Sequence, residues 1–271
     1  MADLEKYLVK PNSKFTLKSI KTDDKSERSD SKVEDAVMLE SLGTEIKTLQ
    51  YILYAQNKHK ILLILQGMDA SGKDGTVGHV FNQSDPLGIR LANFKGPTEE
   101  ELARDYLWRA HLQVPKKGEI VVFNRSHYED VLIVKVHDWI DEAECKRRYE
   151  QINDFERMLT ETGTVILKCY LHISKEEQKM RLQSRLDDPT KTWKFNPKDL
   201  NERDLWGKYM QAYDAAISAT STSYAPWYVI PADTKMNSNL LISRLLLNEL
   251  ERLKLAFPPV PAEFKTIKIA D

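Results

Sequence analysis

Two cysteines in 271 residues, Cys145 and Cys169, exclude a disulfide framework and any four-cysteine metal site. No uninterrupted apolar run approaches the roughly 20 residues that a membrane-spanning helix needs. The opening residues, Met1-Ala2-Asp3-Leu4-Glu5-Lys6, lack the apolar core of a signal peptide. Neither sign of charge dominates. Lys and Arg number 40 against 41 Asp and Glu, for a net charge of −1, so no global positive field advertises nucleic acid or a membrane surface. His111 and His127 have no metal-ligand spacing with other His or Cys, which argues against zinc. These absences predict a cytoplasmic protein with neither nucleic acid nor membrane as partner, in which any attraction for a polyanion comes from local clustering. What is present, 41% hydrophobic and 30% charged residues, is ordinary for a globular chain with ample material for a core.

Strands alternate with helices along most of the chain. Residues 10–32 are polar and aperiodic, so 1–32 reads as an extended or partly disordered arm. From Val33 to Gln56 the apolar residues Val37, Leu39, Leu42, Ile46, Leu49, Ile52 and Leu53 recur at helical spacing. Five apolar runs read as strands: 60–66, 89–94, 119–123, 164–173 and 227–230. Helices are expected over 97–113, 142–160, from the capping box Ser174-Lys175-Glu176-Glu177 to before Asp187, over 201–219 and over 239–255. Pro258, Pro259 and Pro261 then leave an extended tail over 258–271. The pattern predicts an α/β fold, with a five-stranded parallel sheet covered by helices on both faces, and a single domain over 33–257.

The first strand runs directly into Gly67-Met68-Asp69-Ala70-Ser71-Gly72-Lys73, followed by Asp74-Gly75-Thr76, which opens a helix. Strand, glycine-flanked loop ending in Gly-Lys, then helix is the context of a phosphate-binding loop. Gly67 and Gly72 let successive N–H groups turn inward around an anion, the helix start adds about half a positive charge and Lys73 a whole one. The residue after the lysine is normally Ser or Thr, whose hydroxyl binds Mg²⁺. Here it is Asp74, so the metal should take ligands elsewhere, with Asp69 the nearest hard oxygen donor.

Two further groups lie at positions where α/β sheets bind ligands. Asn124-Arg125-Ser126-His127-Tyr128-Glu129 follows the third strand. There Asn124 can hold a metal-bound water, Arg125 can reach phosphate as a bidentate fork, and Glu129 can face the same cleft. Arg181 and Arg185 are four apart on one predicted helix face, beside the polar stretch carrying Lys191, Lys194 and Lys198. Ten basic against seven acidic residues from Lys168 to Lys208 give a local +3, which suits either a solvated face or a lid over phosphates. Asp105 and Arg109, also four apart, read first as an intrahelical ion pair, with acceptor binding as the alternative.

Together, Gly67 to Thr76, Asp105-Tyr106-Leu107-Trp108-Arg109, Asn124 to Glu129, Thr220-Ser221-Thr222, Ala225-Pro226-Trp227-Tyr228 and Ile230-Pro231-Ala232 resemble the polyphosphate kinase 2 family in order over residues 35–257. The resemblance implies a thymidylate-kinase-like P-loop fold with a helical lid at about 175–205. It implies Mg²⁺-dependent (or Mn²⁺-dependent) phosphoryl transfer between inorganic polyphosphate and adenine nucleotides, with guanine nucleotides as an alternative, in a homo-oligomer, dimer or tetramer. Asp69, Lys73, Asn124, Arg125 and Glu129 are then the catalytic candidates. Phosphate falls to Gly67, Ala70, Ser71, Gly72, Lys73, Asp74, Gly75, Thr76, Arg181 and Arg185. Nucleotide falls to Asp105, Arg109, Asn124, Arg125 and Glu129, and metal to Asp69, Asn124 and Glu129. Many members carry Asp where this chain has Asn124, and the Asn124…Glu129 pairing looks like the single-domain branch that phosphorylates both mono- and diphosphates. An ATP-dependent nucleoside monophosphate kinase and a non-catalytic nucleotide-binding regulator are the rival expectations.

Overall fold

A computed structural model describes residues 4–269. Six strands form one sheet: β1 (Leu8–Val9), β2 (Lys60–Gln66), β3 (Ile89–Asn93), β4 (Ile120–Asn124), β5 (Thr164–His172) and β6 (Trp227–Pro231), in spatial order β1-β6-β5-β2-β4-β3. The five expected strands pair in parallel, and the sixth is the correction: β1 adds antiparallel to the edge of β6, through Leu8 opposite Tyr228 and Val9 opposite Trp227. A polar composition hid this strand, because only a few residues of the arm face inward. Tyr7, Val9 and Leu17 are buried, Asp214 accepts from the Leu17 backbone N–H at 2.6 Å, and Ser221 Oγ donates to Val9 O at 2.5 Å. The arm is therefore anchored to the domain, at the sheet edge through Leu8–Val9 and on helices through Leu17, Glu27 and Arg28, with short 3-10 turns at Leu4–Tyr7 and Leu17–Ser19.

The helices are α1 (Lys32–Gln56), α2 (Lys73–Val80), α3 (Glu99–Leu102), α4 (Trp108–His111), α5 (Ile133–Val136), α6 (Glu142–Glu161), α7 (Lys175–Asp187), α8 (Lys198–Asp204), α9 (Trp206–Thr220) and α10 (Lys235–Arg252). Alternation along β2 divides the core. Leu62 and Ile64 enter a cluster with residues of α6 and α9, whereas Ile61, Leu63 and Leu65 face α1 and α10. Burial on both faces is what the continuous apolar runs require of a parallel sheet.

The helix expected over 97–113 is in fact two single turns, α3 and α4. Thr98 and Glu101 form a full capping box at the start of α3, but Asp105 bonds the Leu107 N–H two residues on, at 3.0 Å. That local bond competes with helix continuation. The 201–219 helix is likewise divided into α8 and α9 at Leu205.

Candidate active site

β2 delivers the chain to the carboxyl edge of the sheet, where the phosphate-binding loop begins. Gly67 holds φ +153°, and a Cβ there would lie 2.7 Å from Ser71 Oγ and 2.8 Å from Leu171 O, so the first loop position admits only glycine. Ala70 at φ +61° and Arg125 at φ +59° occupy the left-handed region despite their side chains. Such backbone strain concentrates where a site must hold a fixed shape. Lys73 opens α2 almost wholly buried, and its Nζ donates to Gly67 O at 2.7 Å and Met68 O at 3.2 Å. Burial and the neighbouring Arg125 bring its ammonium down to about 8.

Register sets the second wall. Leu65 of β2 and Asn93 of β3 both stand opposite Asn124 of β4, so three strand ends share one level. Asn124 Nδ2 donates to Asp74 Oδ1 at 2.6 Å and to Asn93 Oδ1 at 2.9 Å. This gives Asp74 its role: its carboxylate ties α2 to the end of β4. Arg125 Nη2 bonds Asp69 Oδ1 at 2.6 Å, and Glu129 and Asp69 hold the guanidinium above its ordinary pKa against the cost of burial. Glu129, in a 3-10 turn over His127–Val131, feels the charges of Arg125, Lys73 and Asp69. Burial raises its carboxyl above the usual range, with the two cations opposing.

The two arginines of α7 do different things. Arg181 is buried, and its five N–H groups have five acceptors: Nε bonds Glu177 Oε1 at 2.7 Å, Nη1 bonds Ala70 O and Ser71 O at 3.1 and 2.8 Å, and Nη2 bonds Ala232 O and Asp233 O at 2.5 and 3.2 Å. It braces the loop from behind, with no donor left over for phosphate in this arrangement. Arg185 sits more openly, with Nη1 3.4 Å from Asp199 Oδ2. Burial and the charge of Asp69 push Asp199 up to about 6.

Asp105 and Arg109 do not pair with each other. Arg109 is buried, bonding Asp130 Oδ2 and Lys95 O at 2.9 Å each. Neither residue lines the cleft, whose volume is about 780 Å³. That cleft brings together Asp69 to Thr76, Asn124, Arg125, Arg181 and Arg185. Several of its wall residues escaped the sequence reading, Asn93, Asp199 and Lys235 among them. A polar residue closing an apolar strand was the available signal for Asn93. Asp199 and Lys235 sit on helices with no motif around them.

Among the described residues, no three His, Cys, Asp or Glu side chains gather closely enough to hold a metal by themselves. Of the donors expected for a metal, the cleft wall offers the Asp69 carboxylate and the Asn124 amide, whereas Glu129, which feels the charges of Arg125, Lys73 and Asp69, does not line it. Such a set fits an ion that keeps several waters and takes its other ligands from phosphate.

A six-stranded, mainly parallel sheet with a phosphate-binding loop, a buried loop lysine and arginines on the facing wall defines a P-loop phosphotransferase of the kinase type. A family model described as polyphosphate kinase 2 matches residues 29–258. The chain belongs to the polyphosphate kinase 2 family. It is 52% identical over 255 residues to an AMP/ADP-polyphosphate phosphotransferase of Meiothermus ruber, covering 94% of this chain and 96% of that one. It is 42% identical over 243 residues to an ADP-polyphosphate phosphotransferase of Rhodopseudomonas palustris, covering 85% and 84%. The crystal structure of polyphosphate kinase 2 from Arthrobacter aurescens TC1 superposes with a TM-score of 0.92 at 44% identity, over 96% of this chain and 93% of that one.

Proposed function

We propose that this protein transfers the terminal phosphoryl group of inorganic polyphosphate to AMP and ADP, reversibly, giving ADP and ATP, with Mg²⁺ as the metal. The observation that carries this reading is the convergence of Lys73, Arg125 and the loop amides on one cleft, in a chain of this family. The names of its relatives in Meiothermus ruber and Rhodopseudomonas palustris support the substrates.

Attack by an acceptor phosphate oxygen, in line with the bond to the next phosphate of the chain, asks for little covalent work from the protein. Positioning and charge neutralisation carry the rate. Lys73 leaves its loop carbonyls for the transferring group, and Arg125 bridges that group to Asp69. Asn124 and Glu129 border the acceptor end, and Arg185 exchanges Asp199 for donor phosphate. Mg²⁺ held by Asp69, with Asn124 and Glu129 ordering its waters, would supply further neutralisation of phosphate charge. Closure of the 175–205 segment excludes water, which otherwise competes as acceptor.

Incubation with AMP or ADP, Mg²⁺ and polyphosphate in the absence of ATP tests the reading, with nucleotides separated afterwards. ATP formation from ADP, and ADP formation from AMP, is expected. Phosphorylation of AMP by ATP alone, with none from polyphosphate, would instead identify a nucleoside monophosphate kinase.

A further inference from the structure

β5 and β6 run side by side, and His172 stands opposite Pro231 at their carboxyl ends. One backbone bond follows, from Ala232 N to His172 O at 2.9 Å. There the strands part, β5 leading into α7 and β6 into α10. Ser174, the N-cap of α7, then presents a backbone N–H that is met by a side chain: Asp233 Oδ1 accepts from it at 2.7 Å. Asp233 is itself held in place, because its backbone N–H donates to Thr22 O of the N-terminal arm at 3.1 Å.

This arrangement departs from what Ser174-Lys175-Glu176-Glu177 predicts. In a capping box the Ser side chain takes the N–H of the third helical residue, and the acidic side chain of that residue returns to the N-cap N–H. The first half is present, since Ser174 Oγ accepts from Glu177 N at 3.0 Å. The second is not. Glu177 Oε1 accepts from Arg181 Nε at 2.7 Å, and Asp233 serves the N-cap N–H in its stead. Thr98 and Glu101, by contrast, complete both halves at the start of α3. Ser174 lies three residues before Glu177 and Arg181 four after it, in opposite directions along the helix, so the short Glu177 side chain reaches one or the other. The choice matters because Arg181 Nη1 holds the carbonyls of Ala70 and Ser71 in the phosphate-binding loop.

We infer that Asp233 is a positioning residue for the phosphate-binding loop: by accepting the Ser174 N–H it frees Glu177 to fix Arg181 against that loop. The arm takes part by fixing Asp233 through Thr22. Only the kinetic consequence rests on the phosphotransfer reading above; the exchange of partners at Ser174 does not.

The test compares Asp233→Asn, Asp233→Ala, Glu177→Ala and the Asp233→Ala, Glu177→Ala double variant with the unaltered protein, by ATP formation from ADP and polyphosphate and by denaturant unfolding. In Asp233→Ala the freed N–H draws Glu177 back into the capping box. Its kcat should fall about tenfold as the loop loses its fixed geometry. Its KM for ADP should stay within about twofold of the parent, and its unfolding midpoint should move little. Asp233→Asn keeps an oxygen acceptor and should hold kcat within about threefold of the parent. Two couplings of opposite kind mark the exchange. Glu177→Ala should lower kcat about as far as Asp233→Ala, and the double variant no further, because Glu177 has already left Arg181. The unfolding midpoint should fall more in the double variant than in the two single variants added together, since the Ser174 N–H then has neither acceptor. Additive changes in both quantities, or no rescue by Asp233→Asn, would overturn the inference. A parent protein that makes no ATP from polyphosphate would overturn the donor assignment alone, and the unfolding coupling would still decide the exchange at Ser174.

Discussion

Lys73 is the residue with the most to lose from its own position. It is buried, it sits beside Arg125, and its ammonium is lowered from 10.5 to about 8. A lysine lowered on folding binds fewer protons in the folded than in the unfolded state, so stability rises with pH between about 8 and 10.5. Lys73→Met, which does not titrate, should therefore lose ground to the parent across that window. Thermal unfolding of both proteins at pH 7.5, 9 and 10.5 measures it, with a total change on the order of 3 kcal/mol. Turnover of the same variant should fall by about a hundredfold or more, because a preorganised charge on the transferring group is gone. Normal turnover with an unchanged melting curve would remove the loop from the mechanism. Glu129 lies under the charges of Arg125, Lys73 and Asp69, and neutral Asn124 is committed to Asp74 and Asn93. Glu129→Ala is expected to depress phosphorylation of AMP more than that of ADP, read from steady-state kinetics at saturating polyphosphate. A common factor on both acceptors would make Glu129 general support for the site.

At the scale of the element, α7 carries one arginine inward and one toward the cleft. Arg181 joins α7 to the loop carbonyls of Ala70 and Ser71 and to the residues just after β6. Its removal leaves several buried carbonyls without donors, at about 1–3 kcal/mol each at most. Arg181→Ala should thus lower both the melting temperature and kcat with either substrate varied, and Arg181→Lys should not restore them, since an ammonium cannot serve a planar five-donor fork. Arg185→Ala should leave stability nearly unchanged and raise KM for polyphosphate more than for nucleotide. Matching profiles for the two variants would refute the division. The i,i+4 spacing was legible in the sequence; the burial of one member was not, because the carbonyls that Arg181 serves come from 110 and 51 residues away. The same limit applies to Arg109, drawn to Asp130 by tertiary structure against an equally spaced Asp105. By contrast, the phosphate loop was readable because its constraint is local: a strand, two glycines with fixed backbone angles and a helix start. Asp199 and Lys235 had no local constraint to betray them.

The whole molecule is tied across its layers by a buried polar cluster that sequence periodicity passes over. Lys168, in the middle of β5, donates to Glu156 Oε2 of α6 at 2.6 Å, to Thr220 O at the end of α9 at 2.7 Å and to Tyr128 Oη at 2.9 Å. Tyr128 in turn donates to Glu156 Oε1 at 2.8 Å, and it follows Arg125 by three residues. A lysine in an apolar strand reads as an interruption, whereas here it satisfies one carboxylate, one hydroxyl and one helix-terminal carbonyl at once. The five-strand parallel sheet was legible because each strand had its own apolar run; this cross-link was not, since its bonded partners lie up to 52 residues apart. Lys168 and Glu156 are both fully enclosed, so breaking the pair from one side strands a buried charge. Lys168→Met and Glu156→Leu are each expected to destabilise the fold by about 3–5 kcal/mol. The double replacement should cost far less than the sum, because two apolar groups of similar volume leave no charge uncompensated. Denaturant unfolding of the four proteins gives the coupling directly. Additive single effects would mean that the cluster contributes through packing alone. If the pair couples as expected, the double variant also tests its reach: kcat should fall in the refolded double variant if the cluster, through Tyr128, holds the turn that carries Arg125 and Glu129, and should match the parent if it serves stability only.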